Sequence, residues 1–359
     1  MRKKELSTYY FAVNKYEMTE TKTRHVPNYK LRFVLLAAAA VLCILVSFSV
    51  GRFPVSLSDV IMVFATEIFH LDIAWDYAVW STVINIRLPR ILAAFFVGAA
   101  LATAGAAYQG MFQNPLVSPD ILGASSGAGF GAALAIFMDL GPVWITAFAF
   151  AGAVICVGAA YLVSRFTKGS ATLSMVLAGI LVSSLFTAMT SFLKTVADTE
   201  DQLPEITYWL MGSLAGADMG DVIFAGTLIL AGIIPIFLLR WRMNVLTLGE
   251  DEAKSMGINT HRLRFVVVAC ATLITAAAVS ISGIIGWIGL VIPHFCRMIF
   301  GCDYRRIIPA AVIMGGAFLL LVDDLDRCMA SVEVPIGILT AFVGAPIFAY
   351  LLMMGGRRI

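Results

Sequence analysis

Charge is scarce in this chain. Only 13% of its 359 residues are Asp, Glu, Lys or Arg, against 60% that are hydrophobic. A soluble domain needs a polar skin, so that shortage excludes one and points to an integral membrane protein. A Gly-x4-Gly-Lys-Ser/Thr loop is also missing, which excludes nucleotide hydrolysis by this chain itself. The six cysteines, Cys43, Cys156, Cys270, Cys296, Cys302 and Cys328, form no CxxC pair. No redox motif or disulfide framework follows from them, and in a span cysteine is an ordinary small apolar residue.

What the chain has instead is long apolar runs. A spanning helix needs about 20 apolar residues, because it rises about 1.5 Å per residue through about 30 Å of hydrocarbon. About ten such stretches can be marked, at 33–50, 91–108, 115–138, 142–163, 171–193, 222–239, 265–281, 284–300, 307–322 and 335–354. Two pairs run together and are separated by Gly and Pro, at Gly110 with Pro115 and at Gly283, Gly286 and Gly289. The expectation is an all-α polytopic membrane protein with about ten transmembrane helices. Residues 1–30 read as a cytoplasmic tail and 31–359 as one membrane domain. The first apolar stretch is full length and lacks a clear cleavage site, so it reads as a retained span rather than a signal peptide.

The few charges are sorted by sign. Lys and Arg gather in 1–32, at Arg165 and Lys168, and at Arg240, Arg242, Lys254, Arg262 and Arg264. They continue at Arg297, Arg305, Arg306, Arg357 and Arg358. Under this span count all of these share one face, which the retention of positive charge makes cytoplasmic, with both termini. The opposite face is acidic, from Asp59, Glu67, Asp72 and Asp76 through Asp198, Glu200, Asp201, Glu205, Asp218 and Asp221 to Asp323, Asp324, Asp326 and Glu333.

Between spans, Ser58 is expected to cap a short interfacial helix from Asp59. Residues 208–214 read as a short amphipathic hairpin. On the basic face, Leu248 to Gly257 reads as a compact helix with three acids in its first turn and Gly257 closing its end. A short exposed helix between spans suits a lever for another protein, and equally a solvated connector. The stripes Gly98, Ala102, Gly105 and Gly123, Gly127, Gly131 read as helix-packing surfaces.

Three chemical constellations were weighed. Gly123-Ala124-Ser125-Ser126-Gly127 fits Gly-x-Ser-x-Gly, and with His294 it raises an intramembrane hydrolase; helix packing demands the same small residues. His294, Cys296, Cys302 and Asp303 fit no standard zinc spacing, so no metal site is expected. Arg87, Arg90 and Arg327 stand on the acidic face. They either pair locally with Asp323, Asp324 and Asp326 or offer a cationic dock to an acidic partner. An ion-coupled transporter is the rival from another class, but it would need ionisable residues deep in its spans, where this chain has few.

Several ordered passages then point one way. Arg87-Leu88-Pro89-Arg90 leads into Gly98-Ala99-Ala100-Leu101-Ala102, and Gln113-Asn114-Pro115-Leu116-Val117-Ser118-Pro119 leads to Leu122-Gly123. Tyr208-Trp209-Leu210-Met211-Gly212, the Gly249 to Gly257 segment, Gly286 to Arg297 and Pro335 to Pro346 follow. From about 55 to 355 the chain resembles the membrane subunits of ATP-driven importers of iron–siderophores, haem and cobalamin, the FecCD-type permeases. The resemblance implies a type II ABC importer transmembrane domain, paired with a second permease subunit in a homodimer or heterodimer. It also implies two cytoplasmic ATPase subunits that hold ATP and Mg, an extracytoplasmic substrate-binding protein, and no nucleic acid. The chain itself then binds no cofactor, catalyses nothing, and sits in a bacterial cytoplasmic membrane. By the same resemblance Gly249, Glu250, Asp251, Glu252, Ala253, Met256 and Gly257 belong to the coupling helix. Arg87, Arg90 and Arg327 match arginines that grip the binding protein, and Asn114, Leu116, Thr172 and Ser174 match the cytoplasmic gate. Two departures stand out. Asp303-Tyr304-Arg305 replaces the usual Asp-His-Arg, and Asp324 and Asp326 are acids added beside Arg327.

Overall fold

A computed structural model describes residues 28–70, 76–167, 171–329 and 333–355. The tail expected over 1–30 lies outside them as far as residue 27, as do Asp72, Lys168, Arg357 and Arg358. Among the described residues the chain is helical throughout its regular structure. The helices are α1 (Tyr29–Ser49), α2 (Leu57–Phe69), α3 (Tyr77–Phe112), α4 (Ala124–Phe137), α5 (Pro142–Phe166), α6 (Ala171–Val196) and α7 (Gln202–Met211). They continue with α8 (Met219–Leu246), α9 (Glu250–Ser255), α10 (Thr260–Ser282), α11 (Ile288–Phe300), α12 (Tyr304–Met329) and α13 (Ile336–Gly355).

Among the described residues seven helices are long and apolar enough to cross a bilayer. The apolar stretches in α4, α11 and α13 are shorter. The 14 residues of α4 reach only about 21 Å at about 1.5 Å per residue, less than the hydrocarbon thickness. Length and composition therefore account for seven of the expected crossings. The shortening has local causes. A 3₁₀ turn at Pro119–Leu122 precedes α4, and positive φ at Gly283 and Trp287 breaks the chain before α11.

The central element is α3. From Pro89 to Phe112 every residue except Leu92, Phe95 and Phe96 is buried. It is surrounded by α8, α10, α11 and α12, while α4, α5 and α6 pack as a neighbouring group. Small residues permit this. A Cβ on Gly98 would overlap the carbonyl of Gly315 on α12, so those backbones touch. Gly127 meets the carbonyl of Gly152 on α5 in the same way. Lipid supplies no hydrophobic drive between helices, so such close van der Waals contact carries the packing. The outer helices show the complement: Leu31, Leu35, Val41 and Leu42 on α1 are exposed apolar side chains, suited to lipid.

Three local expectations change. The cap of α2 is Ser56, not Ser58: Ser56 Oγ accepts from the Asp59 amide at 3.2 Å and the Asp59 carboxylate accepts from the Ser56 amide at 3.3 Å. This is a capping box, which fixes the start one turn before Asp59. Residues 208–211 finish helix α7 rather than forming a hairpin, and Gly212, at φ +76°, turns the chain. The spans expected at 91–108 and 307–322 continue through their charged ends to Tyr77 and Met329. Those charges neutralise one another and do not stop the helix.

Candidate functional site

The antiparallel helices α3 and α12 bring the isolated arginines onto the acids beside them. Arg90 donates to Asp323 at 2.8 Å, to Asp326 at 2.8 Å and to Glu333 at 2.9 Å. Arg327 lies 3.1 Å from Asp323, one helical turn earlier, and also meets Asp324. It donates to the Ser47 carbonyl at 3.1 Å, and Ser47 Oγ donates to Asp324 at 2.6 Å. Arg87 donates to the carbonyls of Phe48 and Phe53, which holds the turn after α1. Arg87 ends a π-turn at Thr82–Arg87 and faces the end of α1, while Arg90, within the regular helix that follows, faces α12.

This cluster is buried. Asp323 is 0% exposed and Arg90 is 5% exposed. In this structure Arg90 and Arg327 pair locally with these acids, Asp324 and Asp326 among them, whereas Arg87 is held by backbone carbonyls. Arg52 was left out of the sequence's charge sorting and is exposed at this same acidic end.

The basic end is built differently. Gln113, at φ +51°, ends α3 and donates through Nε2 to the Leu246 carbonyl at 2.6 Å. Leu246 closes α8, just before α9. Asn114 Oδ1 accepts from the Leu116 amide at 2.9 Å, shaping an exposed turn in which Leu116 is 55% exposed. Gln109 ties that turn back, donating to the Val117 and Gly289 carbonyls, each at 3.2 Å. Its Oε1 accepts from Arg297 on α11 at 2.6 Å. Asn244 of α8 accepts from the Tyr304 amide at 2.8 Å and donates to Asp303 at 2.7 Å, so the altered Asp303-Tyr304-Arg305 turn is firmly held. Ser174 is buried at the start of α6, and Thr172 is half-buried beside it.

Helix α9 is a short stub with defined ends. Gly249 has φ +128° at its start, and Gly257 has φ +77° at its close. The Gly257 amide donates to the Lys254 carbonyl at 2.9 Å and the Ile258 amide to the Ala253 carbonyl at 3.0 Å, a Schellman closure. Ala253 is buried and anchors the stub, while Asp251, Glu252, Lys254 and Met256 are exposed.

Sequence reading named α9, Asn114 and Leu116, but it missed Gln109, Gln113, Asn244 and Arg297 as the side chains that tie this end together. A signal existed, since two glutamines close an otherwise apolar helix, and polar side chains in a span are expensive. The hydrolase motif resolves as packing. Ser125 donates to Asp120, Gly127 abuts Gly152, and no hydrogen bond joins either serine to His294 among the described residues.

A buried charge clasp at one end, an exposed stub at the other that follows a helix tied by Gln113 to the end of α3, and an apolar bundle between them define a polytopic permease. The chain matches the FecCD transport family over residues 39–354 and belongs to that family. It is 36% identical over 328 residues to the molybdate import permease MolB of Haemophilus influenzae, covering 90% of this chain and 96% of that one. It is 37% identical over 283 residues to the hemin permease HmuU of Yersinia pestis, covering 77% and 84%. A solved inward-facing ABC transporter, described as of metal-chelate type, aligns with a TM-score of 0.82 at 35% identity. That alignment covers 91% of this chain and 100% of the other. The chain is thus the membrane permease of an ABC importer, a transport protein of the inner membrane whose class works with a separate ATPase and a substrate-binding protein.

Proposed function

We propose that this permease imports a metal chelate, with a ferric siderophore as the first substrate to test and haem, cobalamin and molybdate as competitors. The supporting observation is that relatives at 35–40% identity over most of the chain are named for these cargoes. Few charges lie in the spans, which suits a large chelate that must pass without sticking. Mass spectrometry of what co-purifies with the detergent-extracted complex, followed by ATP-driven uptake into proteoliposomes, tests the cargo. Uptake driven by a proton gradient without ATP would overturn the mechanism.

The basic end and both termini are cytoplasmic in this reading, and a second copy of the chain completes the pathway. Helix α9 seats in an ATPase subunit that holds ATP and Mg; the permease binds neither. Movement of α9 reaches the turn holding Asn114 and Leu116 by a short route, because Gln113 hydrogen-bonds the carbonyl at the root of the lever. Thr172 and Ser174 complete that gate. Alternation then follows as rocking of the two subunits about a central path. A Glu250→Lys and Glu252→Lys variant should retain basal ATPase activity and lose uptake; unchanged uptake would remove α9 from the lever role.

The binding protein docks at the acidic end. Arg87, Arg90 and Arg327 shape that end, and they grip an acidic partner where its carboxylates displace Asp324, Asp326 or Glu333. Replacing Asp324 and Asp326 by alanine frees donors for the partner. Tighter docking supports the exchange, and unchanged docking leaves the arginines with a purely structural role.

A further inference from the structure

We propose a binding site for an anionic phospholipid between α5, α6 and α10 at the basic end. A cavity of about 740 Å³ there is lined by Arg165, Ser174, His261, Arg262 and Arg264, with no carboxylate among the described residues that line it. Its wall includes Tyr161 and Phe265, whose rings lie 5.7 Å apart. The same two residues line a second cavity of about 380 Å³, where Val154, Val157, Gly158, Val268 and Leu273 make an apolar groove between α5 and α10. The two cavities are therefore adjacent, one cationic and one apolar.

The order of these features along the helices fits one molecule. On α5 the groove runs from Val154 to Tyr161 and the cationic cavity continues to Thr167. On α10 the groove lies at 265–273 and the cations at 261–264. The apolar part thus extends about 10–12 Å into the bundle at about 1.5 Å per residue, the depth of part of an acyl chain. A phosphate at Arg165 and Arg262 has its tail directed along Gly158. Nothing lies within 4 Å of where a Cβ on Gly158 would sit, so the groove is open at that point. Basic pockets between spanning helices at the cytoplasmic side suit anionic headgroups, and the continuous apolar groove commits the occupant to a lipid rather than a soluble phosphate. Because Ser174 lines the cavity, an occupied site braces the start of α6. The cytoplasmic placement rests on the topology proposed above, whereas lipid retention does not.

The test is native mass spectrometry of the intact complex released from nanodiscs of phosphatidylcholine with or without phosphatidylglycerol. The wild-type complex should retain phosphatidylglycerol in preference to phosphatidylcholine. Arg165→Gln with Arg262→Gln should lower that preference about thirtyfold, at about fivefold per arginine near the surface. Gly158→Leu should fill the groove and release the lipid while the cations remain. Both variants change exposed or open positions, so the fold should survive. Equal retention by wild type and variants overturns the site. Equal protection by glycerophosphoglycerol, which has no acyl chain, reduces it to a phosphate pocket and also overturns the proposal. Retention by the permease alone that is lost in the intact complex makes this face a protein contact and overturns it again. An impermeant thiol reagent on a Lys254→Cys variant in intact cells checks the topology separately.

Discussion

The two ends of this permease handle polarity in opposite ways. At the acidic end, Arg90 and Arg327 are buried against Asp323, Asp324 and Asp326, and three segments of chain, α3, α12 and the stretch at Glu333, meet through charge. At the basic end most charges are exposed, and the joints are hydrogen bonds made by amide side chains, several at Gln109 and one at Gln113. A buried ion pair is costly to break because each partner is left uncompensated. A lone neutral hydrogen bond costs about 1 kcal/mol to exchange. The first end is built to hold its shape and the second to change it.

Four substitutions sharpen or break that contrast. Arg90→Ala strands the buried Asp326 and leaves Asp323 with Arg327 alone, and should destabilise the purified protein by about 3–5 kcal/mol, read as an earlier detergent-induced unfolding midpoint. A midpoint unchanged from wild type would mean the clasp carries no weight. Gly98→Val drives a side chain into the Gly315 carbonyl at mid-bundle. It should cost about 1–3 kcal/mol of overpacking, in stability and transport together. Gln113→Leu removes only the bond to Leu246 and should cost about 1 kcal/mol, yet uptake per ATP hydrolysed should fall while basal ATPase activity holds. Preserved coupling in that variant would dissolve the distinction between a fixed end and a movable one. Ser56→Ala removes the cap of α2 and should cost about 0.5–2 kcal/mol, with transport intact.

Much of this architecture was legible in the amino-acid order. Apolar runs located the helices, because hydrocarbon leaves the backbone few other options. Gly249 and Gly257 bounded α9, because both sit at backbone angles that favour glycine. Gly98, expected on a helix-packing stripe, does touch another helix at Gly315, since each small residue makes room for the other's backbone. The helix ends at Tyr77 and Met329 were not legible. Charge usually ends a span, and only a neighbour more than two hundred residues away shows that it is neutralised here. For the same reason Gln109 and Arg297 could not be paired in advance. Their partnership depends on the close approach of α3 and α11, which local pattern does not encode.

The wide turn at Thr82–Arg87 also bears on how this molecule tolerates alteration. A π-turn holds one residue more than the regular spiral, so it is a place where the chain stores slack. Deleting a single position there would convert it to ordinary winding, and because five regular residues turn through nearly the same angle as six in the wider spiral, Tyr77 to Ser81 would keep their facing while everything from Leu88 onward kept its register. Length variation ahead of the central helix can thus be absorbed before it reaches the buried bundle.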